Sequence, residues 1–133
     1  MSTSKFEKGL EIRRQVLGDV YVDQAIGRAD AFTQPLQELV TEYCWGHVWG
    51  RDTLSLAERS MINLSMIAAL NRPHELKLHV KGALRNGLST EKIREVLLQV
   101  GIYAGVPAAV DSFRIARQAI EEYQNEEVGS PQE

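Results

Sequence analysis

Along this chain apolar residues recur every three to four positions, separated by short polar or glycine-bearing joints, and they never alternate over a sustained run bounded by turns. That period belongs to helices burying one face, whereas half-buried strands would repeat every second residue. The pattern predicts an all-α fold, a helical bundle of about six to seven helices forming a single domain over residues 1–133. Ser4 opens the first helix, with Glu7 completing a capping box, and Gly18 ends it. Phe6, Leu10, Ile12, Val16 and Leu17 supply its apolar face. A second helical stretch falls within residues 21–31. A third runs from Pro35 towards Trp49 with Leu36, Leu39, Val40, Tyr43 and Cys44 apolar, and Gly46 and Gly50 blur its end.

Ser55 and Glu58 repeat the capping-box spacing and open a helix through Met61, Ile62, Leu64, Met66, Ile67 and Leu70. It is apolar around most of its circumference, which suits the centre of the domain or a contact between subunits. Asn71 and Pro73 break the chain, and the next helix, over residues 73–86, stops at Gly87 in a left-handed cap. Ser89 or Thr90 caps another, with Glu91 near the positive end of its dipole and Ile93, Val96, Leu97 and Val100 in one stripe. Gly105 ends it, and Pro107 opens a last helix through Phe113, Ile115 and Ile120. Residues 125–133 are acidic, carry Gly and Pro, and are expected to fray.

A chain of 133 residues supports one core and leaves no room for a second, nucleotide-binding domain. Its net charge of −3, with no dense Lys/Arg run, predicts no nucleic acid or anionic membrane partner. The N-terminus lacks the apolar core of a signal peptide, and residues 61–70, interrupted by Asn63 and Ser65, fall short of the roughly 20 residues a bilayer needs. The single cysteine, Cys44, cannot form an intramolecular disulfide, which fits a reducing compartment. A cytoplasmic protein is expected.

Glu75 and His79 stand four residues apart on one predicted helix, so their side chains share a face and a carboxylate could tune an imidazole for proton transfer. A surface Glu–His pair fits the same spacing. His74 and His79 are five apart, on different faces, and do not form an HExxH zinc motif. No metal is expected. His47, between Trp45 and Trp49, reads as a packed histidine, and Cys44, without a nucleophile signature, as a small buried hydrophobe. Arg59 and Arg72 flank the apolar helix, where guanidinium forks would suit the carboxylates of an acidic substrate or ordinary surface ion pairs. Neither GxGxxG nor GxxxxGK occurs.

Several segments, taken in order, carry a resemblance: Gly9-Leu10-Glu11-Ile12-Arg13-Arg14-Gln15-Val16-Leu17-Gly18, Gln37-Glu38-Leu39-Val40, Trp45-Gly46, Trp49, Arg59-Ser60, Glu75-Leu76, His79-Val80, and Ile102-Tyr103-Ala104-Gly105-Val106-Pro107-Ala108-Ala109. Over residues 5–122 the chain resembles the γ-carboxymuconolactone decarboxylases. The resemblance implies an alkylhydroperoxidase-like helical fold, a homo-oligomer, specifically a homohexamer, and cofactor-independent conversion of 4-carboxymuconolactone to β-ketoadipate enol-lactone in aromatic catabolism. It makes His79 the proton donor, Glu75 its orienting partner, Arg59 or Arg72 a carboxylate binder, and Trp45 and Tyr103 walls of the pocket for a small carboxylated lactone.

Redox members of the wider superfamily carry a Cys-x-x-Cys pair with a histidine four residues beyond. Here those cysteine positions are Arg72 and Glu75, so the thiol–disulfide cycle has no resolving partner. Another lactone or keto-acid, a redox role, and a non-catalytic assembly subunit are the alternatives.

Overall fold

The computed structural model describes residues 4–129, which contain helices and no strand. In chain order they are α1 (Lys5–Leu17), α2 (Asp19–Gly27), α3 (Gln34–Leu39), a π-helical segment (Val40–Val48), α4 (Leu56–Ala69), α5 (Pro73–Arg85), α6 (Thr90–Tyr103) and α7 (Val106–Gly129). The all-α expectation holds. Internal packing divides the chain into two compact units with the boundary between Leu56 and Ala57.

In the first unit, α1 starts where its capping residue predicts. The Ser4 hydroxyl accepts from the Glu7 amide at 3.1 Å and donates to the Glu7 carboxylate at 2.9 Å. Gly18, at φ 88°, ends the helix in a conformation that L side chains rarely adopt. The helix packs on the π-helical segment by direct approach of backbones. A Cβ on Gly9 would overlap the Thr41 carbonyl oxygen, and one on Gly46 would overlap the Lys5 carbonyl oxygen.

The third predicted helix is a short α3 that widens into the π-helical segment. Its looser bonding, of which Trp49 N–H to the Cys44 carbonyl at 2.9 Å is one case, brings residues four and five apart onto one side. Thr41, Trp45 and Gly46 are therefore the buried set. Cys44 and His47 turn outward and are exposed, which corrects the α-periodic reading of both as packed residues. His47 meets the edge of Tyr43, at 6.3 Å between ring centroids.

The second unit has an aliphatic core in which Leu64 and Ala68 of α4, Leu76 and Val80 of α5, Ile93 and Leu97 of α6, and Ile115 and Ala119 of α7 interlock. Asn71 takes φ 59° ahead of Pro73, and Gly87 takes φ 91° after α5. Both are turns that the local sequence anticipates. Ser89, rather than Thr90, caps α6 by accepting from the Lys92 amide at 3.2 Å.

The helix α7 corrects one expectation, because residues 125–129 continue it rather than fray. Its acidic face is drawn onto α5 by lysines: Lys77 Nζ lies 2.6 Å from Glu122, and Lys81 Nζ reaches Glu122 at 2.9 Å and Glu126 at 3.1 Å. The rest of the predicted tail, residues 130–133, lies outside the described residues. Among the described residues no helix is long and apolar enough to cross a membrane.

Candidate functional site

Leu76 and Val80 anchor one face of α5 in the aliphatic core. His79, a residue before Val80, is rotated to the margin of that face and is half-buried. There the side-chain amide nitrogen of Asn63, on α4, comes within 3.2 Å of its Nδ1. An amide nitrogen only donates, so with this amide orientation Nδ1 accepts and the ring proton resides on Nε2.

Two effects act on the charge of this ring, and their balance sets its state at neutral pH. Burial disfavours the imidazolium and pushes the pKa down to about 4, while the field of the Glu75 carboxylate opposes that shift with smaller effect. Desolvation wins, so the imidazole is neutral at pH 7. Glu75 is exposed in the first turn of α5, where water screens it, and no hydrogen bond joins it to His79.

Asn63 is the neighbour of His79 that the sequence reading missed. Sixteen positions separate it from His79, and no helical spacing links them. One signal was present: an amide on a helix apolar around most of its circumference needs a hydrogen-bond partner when buried. A second polar tie joins the same two helices, where Asn86, just past α5, donates to the buried Ser60 hydroxyl at 2.9 Å.

The remaining candidates fall in different places. Arg59 is half-buried on α4. Arg72 is exposed at the N-cap of α5 and donates to the Leu70 carbonyl at 3.2 Å. Tyr103, 85% exposed, helps to line a cavity of about 410 Å³ between α4 and α6, together with Met61, Ile62, Ser65, Val96 and Gln99. His79 is not among the residues lining it. Trp45 belongs to the first unit, where it is buried and stacked against Trp49 at 4.7 Å between ring centroids. Although the Cys44 residue is exposed, partial desolvation of its sulfur raises the pKa of the thiol, and the nearby Arg13 guanidinium only partly offsets this, so the thiol stays protonated at neutral pH. Among the described residues no group of three His, Cys, Asp or Glu side chains converges as metal ligands would.

Residues 34–118 match the model of the carboxymuconolactone decarboxylase family. The nitrosuccinic acid decarboxylase of Metarhizium robertsii is 38% identical to this chain over 115 residues, covering 86% of this chain and 80% of that enzyme. The 4-carboxymuconolactone decarboxylase of Acinetobacter baylyi is 30% identical over 118 residues, covering 89% and 88% respectively.

Proposed function

The chain belongs to the carboxymuconolactone decarboxylase family, and from that premise we propose that it decarboxylates a small polycarboxylic acid without a cofactor, using His79 as a neutral hydrogen-bond donor. The acids in the names of the two relatives share one electronic feature. Loss of carbon dioxide leaves an electron pair on carbon, and the substrate itself can accept it. In 4-carboxymuconolactone the pair passes through the alkene to the lactone carbonyl as a furan-type dienolate. In nitrosuccinic acid, loss of the carboxylate beside the nitro group gives a nitronate. The protein is left to bind carboxylates and to stabilise charge that builds on an oxygen atom.

The contact between Asn63 and His79 carries this reading. It leaves the ring proton on Nε2, and the buried, neutral imidazole suits donation to a developing oxyanion. A preformed imidazolium would make up only about one part in a thousand of this ring at pH 7. The proton that replaces carbon dioxide on carbon is accordingly drawn from solvent. Arg59 and Arg72 are the proposed carboxylate holders, and the field of Glu75 keeps the imidazole pKa from falling further.

The first substrate proposed is 4-carboxymuconolactone, giving β-ketoadipate enol-lactone. The second is nitrosuccinate, favoured by the higher identity to the Metarhizium enzyme. A redox role lacks chemistry here, with Arg72 and Glu75 at the superfamily's cysteine positions and the lone Cys44 thiol held protonated.

The test is carbon dioxide release from each acid by the protein without added metal. Release from at least one is expected. His79→Ala should lower turnover by about 10²- to 10³-fold, as loss of one oxyanion donor does, and Asn63→Ala by less. With the ring acting in its neutral form, kcat/KM should hold level from pH 8 to 5 and decline towards pH 4. A tenfold fall per pH unit above 5 would restore the imidazolium donor. No release from either acid by folded protein would remove the decarboxylase reading.

We also propose that the chain self-associates, as a hexamer by family resemblance. Ile62 and Met66 of α4 and Leu70 just after it are exposed, and so are Ile102, Tyr103, Val106 and Val110 around the joint of α6 and α7, a concentration that monomers rarely leave open to water. Light scattering on a sizing column gives the subunit number, and a monomer at micromolar concentration would end this part of the proposal.

A further inference from the structure

We propose that the cleft between α6 and α7 binds a medium-chain carboxylate, its hydrocarbon lying between the helices and its head group at Arg94 and Arg117. The inference goes beyond the decarboxylase reading and uses none of the residues named in that reaction.

The register of the two helices makes the cleft. On α6, Thr90, Ile93, Arg94 and Leu97 fall at i, i+3, i+4 and i+7, which is one face of a helix. On α7, Phe113, Ala116, Arg117 and Ile120 repeat that spacing. The two faces border a cavity of about 390 Å³, within the size range of small-molecule sites. Ile93, Leu97 and Ala116 line it although they are only 1%, 1% and 3% exposed, so the space reaches down to the aliphatic core. Phe113 and Ile120 are half-buried and form a wall. Each face runs over seven residues, about 10 Å at the rise of an α-helix, a length that suits a medium hydrocarbon chain.

The charge of the lining selects the head group. Arg94 comes from one helix and Arg117 from the other, with side chains 56% and 84% exposed and therefore within reach of a ligand. Each meets an acid of its own helix. Arg94 Nε lies 3.6 Å from the adjacent Glu95, beyond hydrogen-bond distance, and Arg117 Nε donates to Glu121 at 3.3 Å. Among the described residues no acid reaches across the cleft to either arginine. Exposed pairs of this kind are weak, so either guanidinium can turn to a ligand carboxylate that offers a better match to its fork. Glu121 also lines the cavity, which leaves two cations to one anion. One further carboxylate balances them.

The cavity between α4 and α6 supplies the contrast. It is of similar size, but no charged residue lines it, so it has nothing to hold a carboxylate. The exposed apolar side chains proposed for self-association gather on that side, and Ile62 and Tyr103 belong to both. None of them lines the α6–α7 cleft, whose charged rim is suited to an amphiphilic anion and not to a second copy of the chain.

Octanoate is the probe, kept below the concentration at which it forms micelles, with octanol as the uncharged control and acetate as the control without a chain. Titration calorimetry and thermal unfolding are run on the whole protein. One octanoate per chain should bind and raise the melting temperature, as a ligand of the folded state does, and acetate should do neither. Octanol should bind at least about tenfold more weakly than octanoate. Replacing both arginines, Arg94→Gln with Arg117→Gln, should weaken octanoate about tenfold or more and leave octanol as it was. Both positions are exposed, so the circular dichroism spectrum and carbon dioxide release should not change. Absence of saturable octanoate binding, the result if another subunit covers the cleft, overturns the site. Equal affinity for octanol, or undiminished octanoate binding in the double variant, overturns it as well. Neither readout requires turnover, so this site can fail while carbon dioxide release stands, and the reverse.

Discussion

Each of the two units of this chain is packed internally by different means. Up to Leu56, helices meet backbone to backbone through Gly9 and Gly46, and a polar seam of Arg13, Gln37 and Thr41 lies inside the contact. From Ala57 onward, aliphatic side chains do the packing, and partly buried polar side chains pair between α4 and the end of α5, Asn63 with His79 and Asn86 with the buried Ser60. In the first unit the Arg13 guanidinium is buried with no carboxylate of the described residues in ion-pair range. In the second the titratable ring gives up its charge on burial. The difference follows from the groups, since a guanidinium cannot lose its proton near neutrality and an imidazole can.

The comparison breaks most severely at Gly9. Gly9→Val puts carbon where the Thr41 carbonyl oxygen stands, and with backbone on both sides nothing can yield cheaply. We expect a loss of at least about 3 kcal/mol in chemical denaturation, with the first unit failing to form. Leu64→Ala probes the other unit by the opposite defect, a cavity in place of an overlap. Leu64 is fully buried, and its truncation should cost roughly 3 kcal/mol while leaving a folded chain.

Acid should distinguish the two units next. An unfolded histidine titrates near 6.5, whereas His79 in the folded protein titrates at about 4. Between those values the unfolded chain binds the extra proton, so stability falls as pH drops from about 6.5 to 4, by at most about 3 kcal/mol, and is fully present above 6.5. Urea unfolding of wild type and His79→Gln at pH 7 and pH 4.5 isolates this effect. An equal loss in both would mean that the ring is solvated and titrates normally. The smallest effect is expected at Ser89→Ala, which removes the cap of α6 and should cost about 1 kcal/mol in the same assay.

Most helix limits were legible because caps and breakers act locally. Ser4, Gly18, Asn71, Gly87, Ser89 and Gly105 all mark real ends. The π-helical segment was not, since 3.6-residue periodicity assumes the α bonding pattern, and its widening misplaced Cys44 and His47. The end of α7 was misread for another reason. Residues 125–129 look solvated and frayed in isolation, while Lys77 and Lys81 of a distant helix give the acidic face before them something to dock on. In the candidate site, His79 was visible as a titratable group on a helix face, and Glu75 acts on it through its field, but the hydrogen-bond contact with Asn63 was not visible. Spacing favours a neighbour four residues away, and Asn63 is on another helix.

By itself the sequence determined the all-α class, the family, the order of helices and the residues able to do chemistry, since each depends on local pattern or on a linear string of matches. The tertiary structure alone decided that His79 is neutral and bonded to Asn63, that Arg13 is buried without a carboxylate, and that Trp45 is interior while Tyr103 lies open. Burial sets each of these states, and burial depends on residues far apart in the chain meeting in space.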